Sequence, residues 1–248
     1  MNDDATYIMG PGPDLARALQ RAGRWDEALA VLPPGETAAR AEILADRFWW
    51  QLKDGAEAEA AIGELAPGDP VLAGFYGAQL GYTRLLFQLE PRSADLDRTR
   101  HGFTAAARDP RLAGWGAFWL GTLADNIDHD PGAAAARYAT ALSLSRQHDD
   151  PLLESYAVRH QGDHAMASDE ELGLRLLRRS YYLRAALGAR PQTAAAAVTL
   201  AEALPPGQEA DELRETAGIT ARELGLTWLL GGAVSRCHAA SASAATTA

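Results

Sequence analysis

The chain of 248 residues has a single cysteine, Cys237, and a single lysine, Lys53. One thiol builds neither a disulfide framework nor a thiolate metal site. Aromatic residues make up 7% of the chain and β-branched residues are also sparse. No stretch sustains the period-two alternation of a half-buried strand, so no sheet is expected. The longest apolar run, Leu224 to Val234, is interrupted by glycines and is too short to span a bilayer. Positive charge is scarce: 23 Lys and Arg stand against 33 Asp and Glu, a net charge of −10. A general nucleic-acid surface needs clustered positive charge to displace counterions, and that balance argues against one. Arg175, Arg178, Arg179 and Arg184 form a local exception. Asp169-Glu170-Glu171 precedes them, and they read together as helix-end charges that suit the macrodipole. The opening Asn2-Asp3-Asp4 has neither the basic start nor the apolar run of a signal peptide. The expectation is a cytoplasmic protein with no membrane and no nucleic-acid partner.

What is abundant is alanine. It loses no side-chain entropy in a helix, whereas β-branched residues do. The length allows one large domain with a substantial core.

A repeat is visible. Pro70, Pro110, Pro151 and Pro191 are spaced by 40, 41 and 40 residues, and Asp69, Asp109 and Asp150 precede three of them. Proline is tolerated in the first turn of a helix, so each can begin one. Eleven residues after the first three prolines stands a glycine: Gly81, Gly121 and Gly162. A glycine inside a helix costs about 1 kcal/mol and implies close approach of a neighbour. Second helices follow at about 95–107, 131–147, 169–187 and 208–224. Short breaks between such segments make antiparallel helix hairpins. Less regular pairs precede them, from Asp14 to Pro33-Pro34 and over about 36–65. The expected organisation is an irregular lead-in over 1–13, one helical domain over 14–234, and a disordered Ala-, Ser- and Thr-rich tail over 235–248.

Gly23-Arg24-Trp25-Asp26-Glu27-Ala28-Leu29 resembles the turn between paired helices of the tetratricopeptide repeat (TPR) family. Trp119-Leu120-Gly121, followed by Ala134, Tyr138 and Ala141, resembles its Leu-Gly then Ala-Phe-Ala framework. The spacing exceeds the usual 34 residues of that family, as in the longer repeats attached to large bacterial transcriptional regulators. The resemblance covers about residues 14–228. It implies an all-α, right-handed superhelix (α-solenoid) of about six antiparallel helix pairs, with the first helix of each pair lining a concave groove.

Aligned on the three glycines, the first helices bring Phe75, Trp115 and Tyr156 into one register, six residues before each glycine. Phe118 and Arg159 stand three before, Trp119 and His160 two before, Tyr82, Thr122 and Asp163 one after, and Asp125 four after. Aromatic walls with a few convergent polar groups are how peptide and small-molecule sites are built. Arginine there can hold a carboxylate or phosphate. The reading is a non-catalytic scaffold or sensor that needs no cofactor and binds a peptide, a partner protein or a small ligand. The opposing reading of each aromatic is a core residue between pairs. The segment Leu224–Val234, with Trp228, either caps the last pair or buries against another copy, a homodimer.

Pro151 to Ala167 concentrates the titratable chemistry. At about 100° per residue, Tyr156, Arg159, His160, Asp163 and His164 share one face, and Ser155, Val158, Gly162, Ala165 and Met166 the other. His160 and His164, four apart, have the spacing of a helical zinc site, but Gln161 stands where helical zinc proteases place a glutamate. The alternative to binding is therefore a small enzyme or metalloprotein using Arg159, His160, Asp163 and His164 for acid/base or metal chemistry. Charge contacts among Glu154, Arg159 and Asp163 that merely register neighbouring helices are the competing structural account.

Overall fold

The computed structural model describes residues 14–90 and 92–231. The expected lead-in, the expected tail, Cys237 and the end of the Leu224–Val234 segment lie outside the described residues. Among the described residues there are thirteen α-helices and no strand. Twelve of them make six hairpins: α1 (Asp14–Arg21) with α2 (Trp25–Ala30), α3 (Thr37–Gln51) with α4 (Gly55–Leu65), α5 (Pro70–Phe87) with α6 (Asp95–Ala106), α7 (Ala113–Leu123) with α8 (Pro131–Gln147), α9 (Pro151–Met166) with α10 (Glu170–Ala186), and α11 (Arg190–Ala203) with α12 (Gln208–Leu224). A short α13 (Thr227–Leu230) follows. None of these helices is long and apolar enough to cross a membrane.

The punctuation read from the sequence works as expected at most positions. Asp69, Asp130, Asp150 and Asp169 each accept a hydrogen bond from the backbone N–H three residues on, at 2.9–3.0 Å. These are N-caps that satisfy an otherwise orphaned donor. Pro70, Pro131 and Pro151 open their helices. Pro110 does not. α7 starts three residues later, at Ala113, because the turn through Asp109 packs onto the helix at Gly116, where a Cβ would lie 2.3 Å from the backbone nitrogen of Ala107.

The three repeat glycines sit where paired helices touch. A Cβ on Gly81 would lie 2.5 Å from Thr99 Oγ1, on Gly121 2.7 Å from Tyr138, and on Gly162 3.1 Å from Leu177. Each neighbour is on the partner helix of the same hairpin. Ala134, Tyr138 and Ala141, the framework residues of α8, are fully buried.

The array does not stay open. Trp25, Ile43 and Trp50 from the first two pairs share a core with Ala194, Ala197, Ala217, Ala221 and Leu224 from the last. Gly23, at φ +76° in the first turn, packs against Leu224 and Pro191. Beyond α12, Trp228 meets Trp50 at 5.4 Å, Phe87 at 6.0 Å and Trp49 at 6.1 Å between ring centres. Trp228 thus packs on residues of the second and third pairs of its own chain.

A candidate ligand-binding interior

The first helices of successive pairs turn their aromatic residues toward one another, and two cavities open between them. The first, of about 110 Å³, is walled by Trp49, Tyr82, Phe118, Trp119, Tyr156 and Trp228 and carries Arg159, His160 and Arg184 as its charged or titratable groups. The second, of about 150 Å³, is bordered by Phe75, Tyr76 and Trp115 and carries Glu42, Asp46 and Asp150, with Arg17 and Arg21 from α1. Trp49, Trp119 and Tyr156 belong to both and form the wall between them.

Of the residues expected to line a groove, Tyr82, Phe118, Trp119, Thr122, Tyr156, Arg159 and His160 border the first cavity. Phe75 and Trp115 border the second with Trp119 and Tyr156. Asp125 and Asp163 border neither. The aromatics also do core work. Trp119 stacks on Phe103 at 5.5 Å and meets Tyr82 edge-on at 5.4 Å, and Phe118 meets Tyr156 at 5.2 Å.

Asp125 is diverted by local backbone geometry. α7 runs into a π-helical turn over Ala124–Asp128, the i→i+5 insertion that re-aims side chains. Asp125 there accepts from the Tyr138 hydroxyl at 2.8 Å and sits 3.0 Å from His164 Nε2. Asn126 turns the other way and donates to the Tyr82 hydroxyl at 2.8 Å. Asp125 holds the His164 imidazole above the usual histidine range, the hydrogen bond outweighing partial burial. Burial pushes the Tyr138 phenol well up.

The α9 stripe is thus divided among three tasks. Tyr156, Arg159 and His160 face the first cavity. His164 is engaged by Asp125, and Asp163 pairs with Arg159 at 3.2 Å, four residues apart on the helix. Glu154 does not join them: Arg146 and Arg179 bind it, at 3.3 and 2.7 Å. His160 stacks on Tyr138 at 4.5 Å, and its ring nitrogens lie 3.2 and 3.4 Å from Arg159 Nη1. A guanidinium in that position repels a cation. Among the described residues no group of three or more His, Cys, Asp or Glu is arranged to hold a metal ion. The smaller face of α9 packs as the pattern implies, with Ser155, Val158 and Gly162 buried.

Arg184 departs from its expected role. Arg175, Arg178 and Arg179 make surface ion pairs with Glu171, Glu209 and Glu154. Arg184, on α10, is 3% exposed and reaches inward. Its Nε donates to Ser155 Oγ at 3.2 Å and its Nη1 to the Gln192 carbonyl at 3.0 Å. Its guanidinium carbon lies 4.4 Å from the centre of the Tyr156 ring. Burial pulls it down to about 10, and burial also pushes Tyr156 up to about 12.

The second cavity has the opposite character. Burial pushes Glu42 up to about 7, helped by Asp46, and Asp46 up to about 6. Asp46 accepts the indole N–H groups of Trp25 at 2.8 Å and Trp50 at 3.0 Å, and Trp115 donates to Asp150 at 3.0 Å. Burial raises Asp150 as well.

Sequence reasoning missed Trp49, Trp50, Trp228, Glu42, Asp46, Arg184 and Gln192. The Trp49-Trp50 pair was a usable signal, but α3 carries no glycine in the repeat register to align it. Arg184 is on a second helix, which the groove picture does not search. Comparison with known proteins gives no likeness to draw on: no family model, no curated protein and no solved structure matches this chain.

Proposed function

We propose that this chain is a non-catalytic, TPR-like binding protein, a closed right-handed coil of helix pairs that holds a small ligand in its interior. The observation that carries the reading is the first cavity: five successive first helices, α3, α5, α7, α9 and α11, supply its walls, and Trp228 packs across it onto Trp49, Trp50 and Phe87. An extended peptide needs a groove open along its length. A pocket of aromatic faces with a few polar groups suits a small molecule. This narrows the choice among peptide, protein and small ligand to the last. The reading invokes no cofactor, nucleic acid or membrane. A sensory role fits it, since entry of a ligand past Trp228 would act on the contact that joins the two ends of the chain.

The test is a thermal-shift measurement of the full chain against a deproteinised small-molecule extract, repeated with Thr122→Trp, which fills the cavity. A ligand that binds only the native state raises the midpoint by mass action. The expected result is a rise in the wild type and none in the filled variant. Stabilisation by a peptide library but not by the extract would overturn the reading.

A further inference from the structure

Arg184 is a buried guanidinium that makes no ion pair: Asp163 acts on it only from beyond ion-pair distance, and Asp163 is paired with Arg159. Two other arginines with little exposure, one buried and one partly buried, show what this fold normally supplies. Arg47, 6% exposed, pairs with Asp26 at 2.8 Å and Glu57 at 2.5 Å. Arg84 takes Asp95 and Glu59, both at 2.9 Å. Arg184 is buried more deeply than either, and no carboxylate among the described residues lies within ion-pair distance of it. A hydroxyl and a backbone carbonyl accept from its Nε and Nη1, while Nη2 makes no hydrogen bond to a described residue. A charge removed from water without a partner is costly, and proteins pair such charges or neutralise them. Guanidinium is the side chain least able to lose its charge.

The surroundings limit what can complete it. Arg159, the second guanidinium on the cavity, is engaged by Asp163. The indole N–H groups of Trp119 and Trp228, also on the cavity wall, have no acceptor. The rest of the wall is ring faces with Leu86 and Ala195, and its neutral polar groups are already engaged: the Thr122 and Thr199 hydroxyls donate to the Trp119 and Ala195 carbonyls and the Asn126 amide to the Tyr82 hydroxyl. The unengaged polar groups are therefore donors, set in apolar surface.

We infer that the first cavity takes a small molecule bearing one carboxylate on an apolar body, with the carboxylate at Arg184 and the body among Trp49, Phe118 and Trp119. The inference rests on the proposed interior binding and names its ligand class. A carboxylate suits the site better than a phosphate. One free nitrogen on Arg184 and an already paired Arg159 cannot satisfy a dianion with three acceptor oxygens. Engineered apolar cavities of about 150 Å³ admit benzene, and the first cavity is about 110 Å³, so one six-membered ring is the largest body to probe.

The experiment titrates the full chain with benzoate, benzamide, benzylamine and inorganic phosphate, following tryptophan fluorescence, and repeats the series with Arg184→Met. Expected is saturable quenching by benzoate, with benzamide weaker by about tenfold or more, as loss of one charge-assisted hydrogen bond implies. Arg184→Met should abolish that preference while melting at the wild-type temperature or above, because it removes a buried charge that no ion pair offsets. Equal affinity for benzoate and benzamide would overturn the carboxylate but leave interior binding standing. Preference for phosphate or benzylamine, or no saturable benzoate binding, would also overturn it. So would an Arg184→Met variant that keeps the benzoate preference. The extract measurement reads interior binding independently, so the two failures are distinguishable.

Discussion

Gln51 and Leu224 stand 173 residues apart in the chain and are joined by a hydrogen bond of 2.8 Å from the Gln51 side-chain amide to the Leu224 carbonyl. Thr227 returns the contact, donating through its hydroxyl to the Gln51 carbonyl at 2.7 Å. The end of α3, the first helix of the second pair, is thus tied to the end of the sixth pair, and Trp228 follows directly. Trp228→Ala removes the ring that packs on Trp49, Trp50 and Phe87 at this junction. Trp228 is half-buried, so the expected cost is about 2 kcal/mol, below the range for a full core aromatic. In a chain of this size that is a fall of about 4–8 °C in the melting midpoint, to be read by circular dichroism.

The glycines divide into those the fold needs and those it does not. A Cβ on Gly121 would meet Tyr138 at 2.7 Å, and Tyr138 is fully buried and bonded to Asp125, so it cannot yield. Gly121→Ala should destabilise by about 1–3 kcal/mol. Gly63, inside α4, has nothing within 4 Å of the same position. Gly63→Ala should stabilise by about 0.5–1 kcal/mol through helix propensity alone. Urea unfolding of the two variants checks both signs.

Asp95 is fully buried and takes Arg84 in a forked pair at 2.9 and 3.0 Å, with the Arg92 backbone N–H at 2.9 Å. Burial by itself would raise this carboxyl, but Arg84 and the Arg92 backbone hold it below the usual range. Asp95→Ala leaves the Arg84 guanidinium with Glu59 alone, and the expected loss is about 3 kcal/mol. Equilibrium denaturation is the readout, and a loss under about 1 kcal/mol would show that water replaces the carboxylate.

Stability should depend on pH with a definite sign. Glu42 and Asp46 have folded-state values raised to about 7 and about 6. The native chain then holds protons that the unfolded chain releases near pH 4, so stability falls as pH rises from about 4 to about 7. His164, also raised, adds stability below its unfolded value that is lost as pH rises through its folded value. The melting midpoint should be higher near about pH 5.5 than near about pH 7.5. Glu42→Gln should flatten the difference. An unchanged slope in that variant would assign it to other groups.

Much of the fold is legible in local chemistry. The aspartates before Pro70, Pro131 and Pro151 cap helices, and Gly81, Gly121 and Gly162 mark the hairpin contacts. These effects act within one turn or between neighbouring helices, so spacing reports them. Pro110 misleads because the turn before α7 is set by packing on Gly116, not by the proline. In the site, Phe75, Trp115 and Tyr156, which share one register in the sequence, border the same cavity and also pack in the core. Asp125 does not border it, because one inserted residue in a π-helical turn carries it to Tyr138 and His164.

The sequence by itself determined the helices and the packing of neighbours in pairs, because capping, propensity and close approach are short-range and periodic. The tertiary structure alone decided that the two ends of the array meet, that Trp228 packs across the interior, and that Arg184 reaches the cavity while its three neighbours in sequence stay on the surface. Those outcomes depend on small rotations between successive pairs summed over six hairpins. No local pattern encodes that sum, and it is settled only when distant apolar faces such as Trp25 and Ala221 find each other.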